Sequence, residues 1–206
     1  MAVPVVHLIT DRRLQPDLHA RAAAALAGLP PGRVVVQLRE KDLDGRDLLR
    51  LARALAAACH EAGQRLVVND RVDVALAAGA DGVHLPAAGI PPEDARRLLG
   101  DEALVGVSCH SAAEVRRARE AGASYASVSP VYDTPSKRAY GAPVGLMVLR
   151  EAAASGLPVI ALGGITPVRV PEVLAAGAHG VAAIRAWLEG DDPAAAVRAL
   201  LPPADR

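Results

Sequence analysis

The chain contains two lysines, Lys41 and Lys137, and one asparagine, Asn69. Every other cation is Arg or His, and all three rare residues lie in loops after predicted strands. In an arginine-rich background, a retained lysine indicates a place that needs a compact point charge, where the planar fork of Arg fits poorly. The lysines sit in Gln37-Leu38-Arg39-Glu40-Lys41 and Thr134-Pro135-Ser136-Lys137. Both runs surround the ammonium with further donors at a strand end, which is how proteins hold phosphate. The competing explanation is a pair of surface lysines with no ligand.

A second anion site is suggested by Gly163-Gly164-Ile165-Thr166-Pro167. Glycines let the backbone approach a ligand closely, and a helix start favours negative charge. Thr166 is a reasonable N-cap with Pro167 at the first helical position. The next such loop offers Arg185. An ordinary capped turn would read the same way. Asn69-Asp70 places an amide beside a carboxylate, a hard-oxygen pair suited to Mg²⁺. Asp70 could equally cap a helix starting at Arg71. Arg39 and Lys41 would then grip a diphosphate bridged by the metal. His110, after Ser108-Cys109, is the better acid/base candidate, although it could also just satisfy backbone groups. His84 is expected at the rim or core, Cys109 as a small packing residue, and Tyr132 and Tyr140 as substrate-lining groups.

These residues must be positioned by strand ends. Short β-branched runs alternate with Ala/Leu/Arg helical patterns along the chain. Strands are predicted over Val5–Thr10, Arg33–Leu38, Arg65–Val68, Gly82–His84, Leu104–Val107, Tyr125–Val128, Pro158–Ala161 and Gly180–Ala183, with helices between, including Gly45–Glu61 and Ser111–Ala121. Ala78-Gly79-Ala80, Ala121-Gly122-Ala123 and Ala176-Gly177-Ala178 look like left-handed helix ends. This order predicts an α/β single-domain (β/α)8 TIM barrel over residues 1–206. A doubly wound sheet is disfavoured because Thr10-Asp11-Arg12-Arg13 stands where a Gly-rich fingerprint belongs. Barrel chemistry occupies the loops after the strands, where the candidate residues fall. The longest loop, Ser129 to Pro143, is a candidate lid.

Composition narrows the class. Half the residues, 51%, are apolar and the formal net charge is zero, so disorder and an anionic polymer partner are both disfavoured. No nucleic acid and no membrane partner is expected. Cys59 and Cys109 lack metal-ligand spacing, and no export signal is evident, which points to the cytoplasm. Nothing in the sequence speaks against a homo-oligomer.

Taken in order, several stretches resemble the thiamine phosphate synthase and thiazole tautomerase family. They are Leu8-Ile9-Thr10-Asp11, Gln37 to Lys41, Val68-Asn69-Asp70-Arg71-Val72-Asp73-Val74-Ala75, Gly79 to Leu85, Gly106 to Ser111, Pro130 to Lys137 and Ala161 to Ile165. The resemblance implies a TIM barrel that joins aminopyrimidine methyl diphosphate to a (carboxy)thiazole phosphate in thiamine biosynthesis and releases diphosphate. It implies that Arg39, Lys41, Asn69 and Lys137 hold diphosphate, that Asp70 binds Mg²⁺, and that Gln37 and Ser108 contact the pyrimidine. Thr134 and Ser136 would meet phosphate or thiazole, and the Gly163 and Gly164 amides the thiazole phosphate. Two positions depart from the synthase pattern. Pro86-Ala87-Ala88-Gly89 lacks the second metal-binding Asp, and Arg185 stands where a small Ser is usual. The tautomerase branch, an isomerase of carboxythiazole phosphate, also tends to lack that Asp, but its catalytic His falls at Pro130 here. Transferase is therefore the first reading, isomerase the second and a non-catalytic ligand-binding regulator the third.

Overall fold

In the computed structural model, residues 2–134 and 142–203 are described. Strands β1 (Val6–Ile9), β2 (Val34–Leu38), β3 (Arg65–Asn69), β4 (Gly82–Leu85), β5 (Leu104–Cys109), β6 (Tyr125–Val128), β7 (Val159–Leu162) and β8 (Gly180–Ala183) pair in sequence order. Every pairing is parallel, and β8 closes on β1, giving the (β/α)8 barrel expected. Helices α1 (Leu18–Leu26), α2 (Gly45–Glu61), α3 (Val72–Ala78), α4 (Pro92–Leu99), α5 (Ala112–Glu120), α6 (Gly145–Ala153) and α7 (Val170–Ala175) follow the first seven strands. Two short helices, α8 (Arg185–Leu188) and α9 (Pro193–Arg198), follow β8.

The strands are apolar on both faces because both faces are covered. Outward residues such as Val6, Leu8, Val36 and Leu66 pack under the helices against Leu18, Ala22, Leu55 and Cys59. Inward residues Ile9, Val35, Val67, Leu104, Tyr125, Ile160 and Ala182 fill the barrel. In α2 the Asp44 carboxylate accepts the Asp47 N–H, and the stripe Leu48, Ala52, Leu55, Cys59 faces the sheet. Burying one such leucine contributes about 1.5–3 kcal/mol, so Leu55→Asp would break that contact. Gly79, Gly122 and Gly177 have φ of 66°, 82° and 92°, the left-handed helix ends expected.

Several strands run further than the apolar pattern predicts. β3 reaches Asn69, β4 reaches Leu85 and β5 reaches Cys109. The reason lies inside the barrel. Ser108 continues the ladder opposite Ser127, and both serines meet the ring of His84. A polar residue can therefore extend the strand without being left unpaired. Among the described residues, no helix is long and apolar enough to cross a membrane.

Candidate active site

The loops after β1 and β2 are joined by a buried carboxylate. The Thr10 hydroxyl donates to Glu40 Oε1 at 2.6 Å and accepts the Arg39 backbone N–H at 2.9 Å. The Arg12 N–H lies 3.2 Å from each Glu40 oxygen. Glu40 is only 6% exposed. Burial raises its pKa, against the lowering effect of the Thr10 and Arg12 hydrogen bonds. This tie fixes the backbone that carries Arg39 and Lys41. Sequence reasoning gave Thr10 and Glu40 no role. The available signal was a carboxylate set between two cations.

Glu40, Lys41, Asn69, Asp70 and Arg71 line a polar cavity of about 270 Å³. Asp70 has φ 67°, a left-handed conformation unusual outside glycine. Its N–H donates to the His84 carbonyl at 2.9 Å, and the Arg71 N–H to Asn69 at 2.8 Å. The alternative in which Asp70 caps the next helix is corrected. Arg71 holds the cap position without a side-chain hydrogen bond, and its guanidinium binds Asp73 at 2.8 and 2.6 Å. The Asp70 side chain is exposed at the cavity. Among the described residues, neither the Arg39 guanidinium nor the Lys41 ammonium has a hydrogen bond or ion pair.

A larger cavity of about 630 Å³ opens at the ends of β7 and β8. Thr134, Gly163, Gly164, Arg169 and Arg185 line it, and Asp11 forms its border toward Thr10. Gly163 and Gly164 have φ of 99° and 65°. A Cβ on Gly163 would lie 2.7 Å from the Pro130 Cα, so the loop admits no side chain there. Thr166 occupies the cap position without a side-chain hydrogen bond, and Pro167 opens a 3-10 turn, Pro167–Arg169, rather than a regular helix. The Arg169 guanidinium donates to the Gly164 carbonyl at 2.6 Å and lies 4.2 Å over the Tyr132 ring. Sequence reasoning missed Arg169, whose signal was a lone cation one turn past the glycines. Arg185 pairs with Glu189 at 2.5 Å and borders the cavity from its rim.

The loop after β6 is laid along this site. Val131 N–H donates to Leu162 and Tyr132 N–H to Gly163, at 2.9 and 3.1 Å. Tyr132 is not a lining residue as expected. Its hydroxyl donates to Glu172 at 2.7 Å, and burial, then Glu172, pushes its pKa up to about 12. Ser136, Lys137 and Tyr140 lie outside the described residues.

Inside the barrel, Gln37 is buried and shares the inward face with Val35. His84 is fully interior, with Nε2 2.9 Å from Ser108 Oγ and Nδ1 3.1 Å from Tyr125 Oη. Burial first, then the Arg39 charge, lowers its pKa to about 3. The same Arg39 charge helps lower the pKa of Asp11, after the larger effect of Arg13. Arg39 therefore acts both on the barrel interior and on the wall of the larger cavity. His110, the expected acid/base group, is held at one ring nitrogen by the backbone. It lines neither cavity, and its Nδ1 lies 2.6 Å from the Ser129 carbonyl, tethering the start of the β6 loop. Cys109 is a buried packing residue whose thiol is pushed up to about 12, mainly by burial.

Among the described residues, no three His, Cys, Asp or Glu side chains converge on a metal. The turn Pro86–Gly89, closed by Gly89 N–H to Pro86 at 2.9 Å, supplies no carboxylate. The donor set still fits Mg²⁺ held partly by substrate. Asp70 offers one free hard-oxygen carboxylate beside the Asn69 amide, and Mg²⁺ ordinarily takes one or two carboxylates plus phosphate oxygens and water.

Comparison with known proteins agrees with this architecture. A Geobacter sulfurreducens protein, provisionally named thiamine-phosphate synthase, is 51% identical over 98% of this chain and 96% of its own length. The thiamine-phosphate synthase of Roseiflexus sp. is 46% identical over 95% and 83%. The structure titled thiamine phosphate pyrophosphorylase from Pyrococcus furiosus superposes with a TM-score of 0.84 at 34% identity, covering 95% of this chain and 93% of that one. Residues 6–187 match the family described as thiamine monophosphate synthase. The chain belongs to the thiamine monophosphate synthase family.

Proposed function

We propose that the protein is a transferase of thiamine biosynthesis that joins aminopyrimidine methyl diphosphate to a thiazole phosphate. The observation that carries this reading is a pair of cavities at one barrel mouth. One is small and polar, with Lys41, Asn69 and Asp70 on its wall, the other larger and floored by Gly163 and Gly164. Asp11 borders the larger, and its neighbour Thr10 is bonded to Glu40 of the smaller. Two anionic substrates could thus meet across that shared wall.

The bond from the pyrimidine methyl carbon to the diphosphate oxygen breaks, and diphosphate leaves with the electron pair. The thiazole nitrogen then gives its lone pair to that carbon, forming the new C–N bond and a thiazolium. Arg39, Lys41 and Asn69, with Lys137 from the β6 loop, would hold the leaving diphosphate. Their fixed donors stabilise charge as it develops, with little reorganisation. Asp70 and Asn69 would hold Mg²⁺, which when bound supplies positive charge to the diphosphate oxygens. Gln37 and Ser108 would orient the pyrimidine. Gly163, Gly164, Thr134 and Ser136, with Arg185 at the rim, would hold the thiazole phosphate.

The isomerase reading draws on the carboxylate-free turn Pro86–Gly89. One assay separates the two. Purified protein with both substrates and Mg²⁺ should yield thiamine phosphate and an equal amount of diphosphate. Conversion of the carboxythiazole phosphate isomer without the pyrimidine, and no condensation with it, would replace the transferase by the isomerase.

A further inference from the structure

Behind Ser108 the barrel interior holds two polar rings, His84 and Tyr125, that the proposed chemistry does not use. Gly106 is in register with both His84 and Tyr125. A Cβ on Gly106 would lie 2.1 Å from the Tyr125 Cζ, so its absence lets the tyrosine ring cross the barrel toward His84. Tyr125 is 0% exposed, and among the described residues its hydroxyl has no hydrogen-bond partner besides His84 Nδ1. The His7 ring, held by the Pro4 carbonyl, meets the Tyr125 ring edge-on at 4.7 Å and offers the hydroxyl nothing.

A sealed phenol proton must be donated, because a buried unpaired donor costs more than an unused lone pair. Its acceptor is His84 Nδ1. A neutral imidazole that accepts at one nitrogen donates at the other. With Nδ1 accepting the phenol proton, the ring is neutral and Nε2 carries the hydrogen. Ser108 Oγ, at 2.9 Å, accepts it, and Ser127 Oγ, at 3.4 Å, is a second and weaker acceptor. Tyr125, His84 and Ser127 are buried, whereas Ser108 is partly exposed. With its acceptor side occupied, the Ser108 hydroxyl has its proton left for whatever binds at the mouth.

We infer that His84 is a positioning residue that fixes the Ser108 hydroxyl as a hydrogen-bond donor to an acceptor nitrogen of the bound heterocycle, through a relay that begins at Tyr125. The inference rests on the assignment of Ser108 to the pyrimidine. It concerns direction: the reverse tautomer would make Ser108 an acceptor and select a donor group on the ligand instead.

Long-range ¹H–¹⁵N spectra of the labelled free protein, with the His84 signal assigned by loss in His84→Gln, read the tautomer directly. The expected pattern is a protonated Nε2. A protonated Nδ1 overturns the inference, whatever the protein catalyses. Steady-state kinetics then test the relay. Tyr125→Phe should raise KM for the pyrimidine diphosphate on the order of tenfold and leave KM for the thiazole phosphate unchanged. That effect should vanish in a Ser108→Ala background, because the variants act through one hydroxyl. Additive losses in the double variant, or equal changes in both KM values, overturn the relay. If Tyr125→Phe fails to fold, the wild-type spectrum decides alone. If the wild type does not condense its substrates, the functional reading fails, and the tautomer still decides which way Ser108 points.

Discussion

The Thr10 hydroxyl donates to Glu40 at 2.6 Å, so one short hydrogen bond joins the loops that follow β1 and β2. Removing it leaves a buried carboxylate with one fewer donor, a loss of about 1–3 kcal/mol. Thr10→Val should lower the unfolding midpoint and raise KM for the pyrimidine diphosphate, since the Arg39 N–H loses its acceptor too. Thermal unfolding and initial-rate kinetics measure both. An unchanged melting temperature would show that the tie contributes nothing.

Glu40 also sets a pH dependence. Its folded pKa is raised, mainly by burial. A raised carboxyl favours the folded state at low pH, and that contribution is lost as pH climbs through the folded value. The stability of the wild type relative to Glu40→Gln should therefore fall as pH rises above the ordinary glutamate range. Paired melting curves across acid to neutral pH test the sign; a difference that grows with pH contradicts it.

Asp70 combines a left-handed backbone with a free carboxylate. Asp70→Ala should be less stable than Asp70→Gly by about 1 kcal/mol, because only glycine relieves the strain. Both should lose Mg²⁺-dependent condensation. Denaturant unfolding with product assays checks the pair. Activity retained by Asp70→Gly would remove this carboxylate from the metal site.

Lys137→Ala should lower turnover on the order of a hundredfold, with a smaller effect on substrate binding, because it removes a donor to charge that develops in the transition state. Lys137→Arg should rescue poorly, since its fork needs different room. Single-turnover rates decide this. Wild-type turnover in Lys137→Ala would strike the residue from the site.

Gly106→Ala should destabilise by about 1–3 kcal/mol, because the new methyl meets the Tyr125 ring. Truncating the ring with Tyr125→Leu should recover part of that loss in the double variant. Urea titrations of the single and double variants supply the comparison.

Much of this was legible before any coordinates. The alternation of apolar runs and capped helices gave the barrel, because parallel strands buried on both faces write continuous Val/Ile/Leu segments. The rare lysines and the paired glycines marked strand ends, and Lys41, Asn69, Asp70, Gly163 and Gly164 do line cavities there. What stayed hidden depends on contacts between distant residues. Arg169 reads as a surface cation until its guanidinium is seen on the Gly164 carbonyl. The hold of the Ser129 carbonyl on the His110 ring is equally invisible in the sequence. The ends of β3 and β5 were misread because polar residues stop an apolar pattern but not a ladder. Only the fold reveals that the His84 ring meets the Ser108 hydroxyl.

The connection between β6 and α6 has a neck. Pro130 accepts from Val144 N–H at 2.8 Å and Val131 from Gly145 N–H at 3.2 Å, while Val131 and Tyr132 donate to Leu162 and Gly163. The neck is therefore part of the barrel's framework. Closing a longer loop costs only about 0.6 kcal/mol per doubling of length. Grafts inserted beyond Asp133 could be lengthened, shortened or exchanged among relatives without moving the glycine floor, whereas a single residue added before Tyr132 would shift it. Substrate preference in this scaffold could thus be retuned by exchanging one segment at a fixed attachment point.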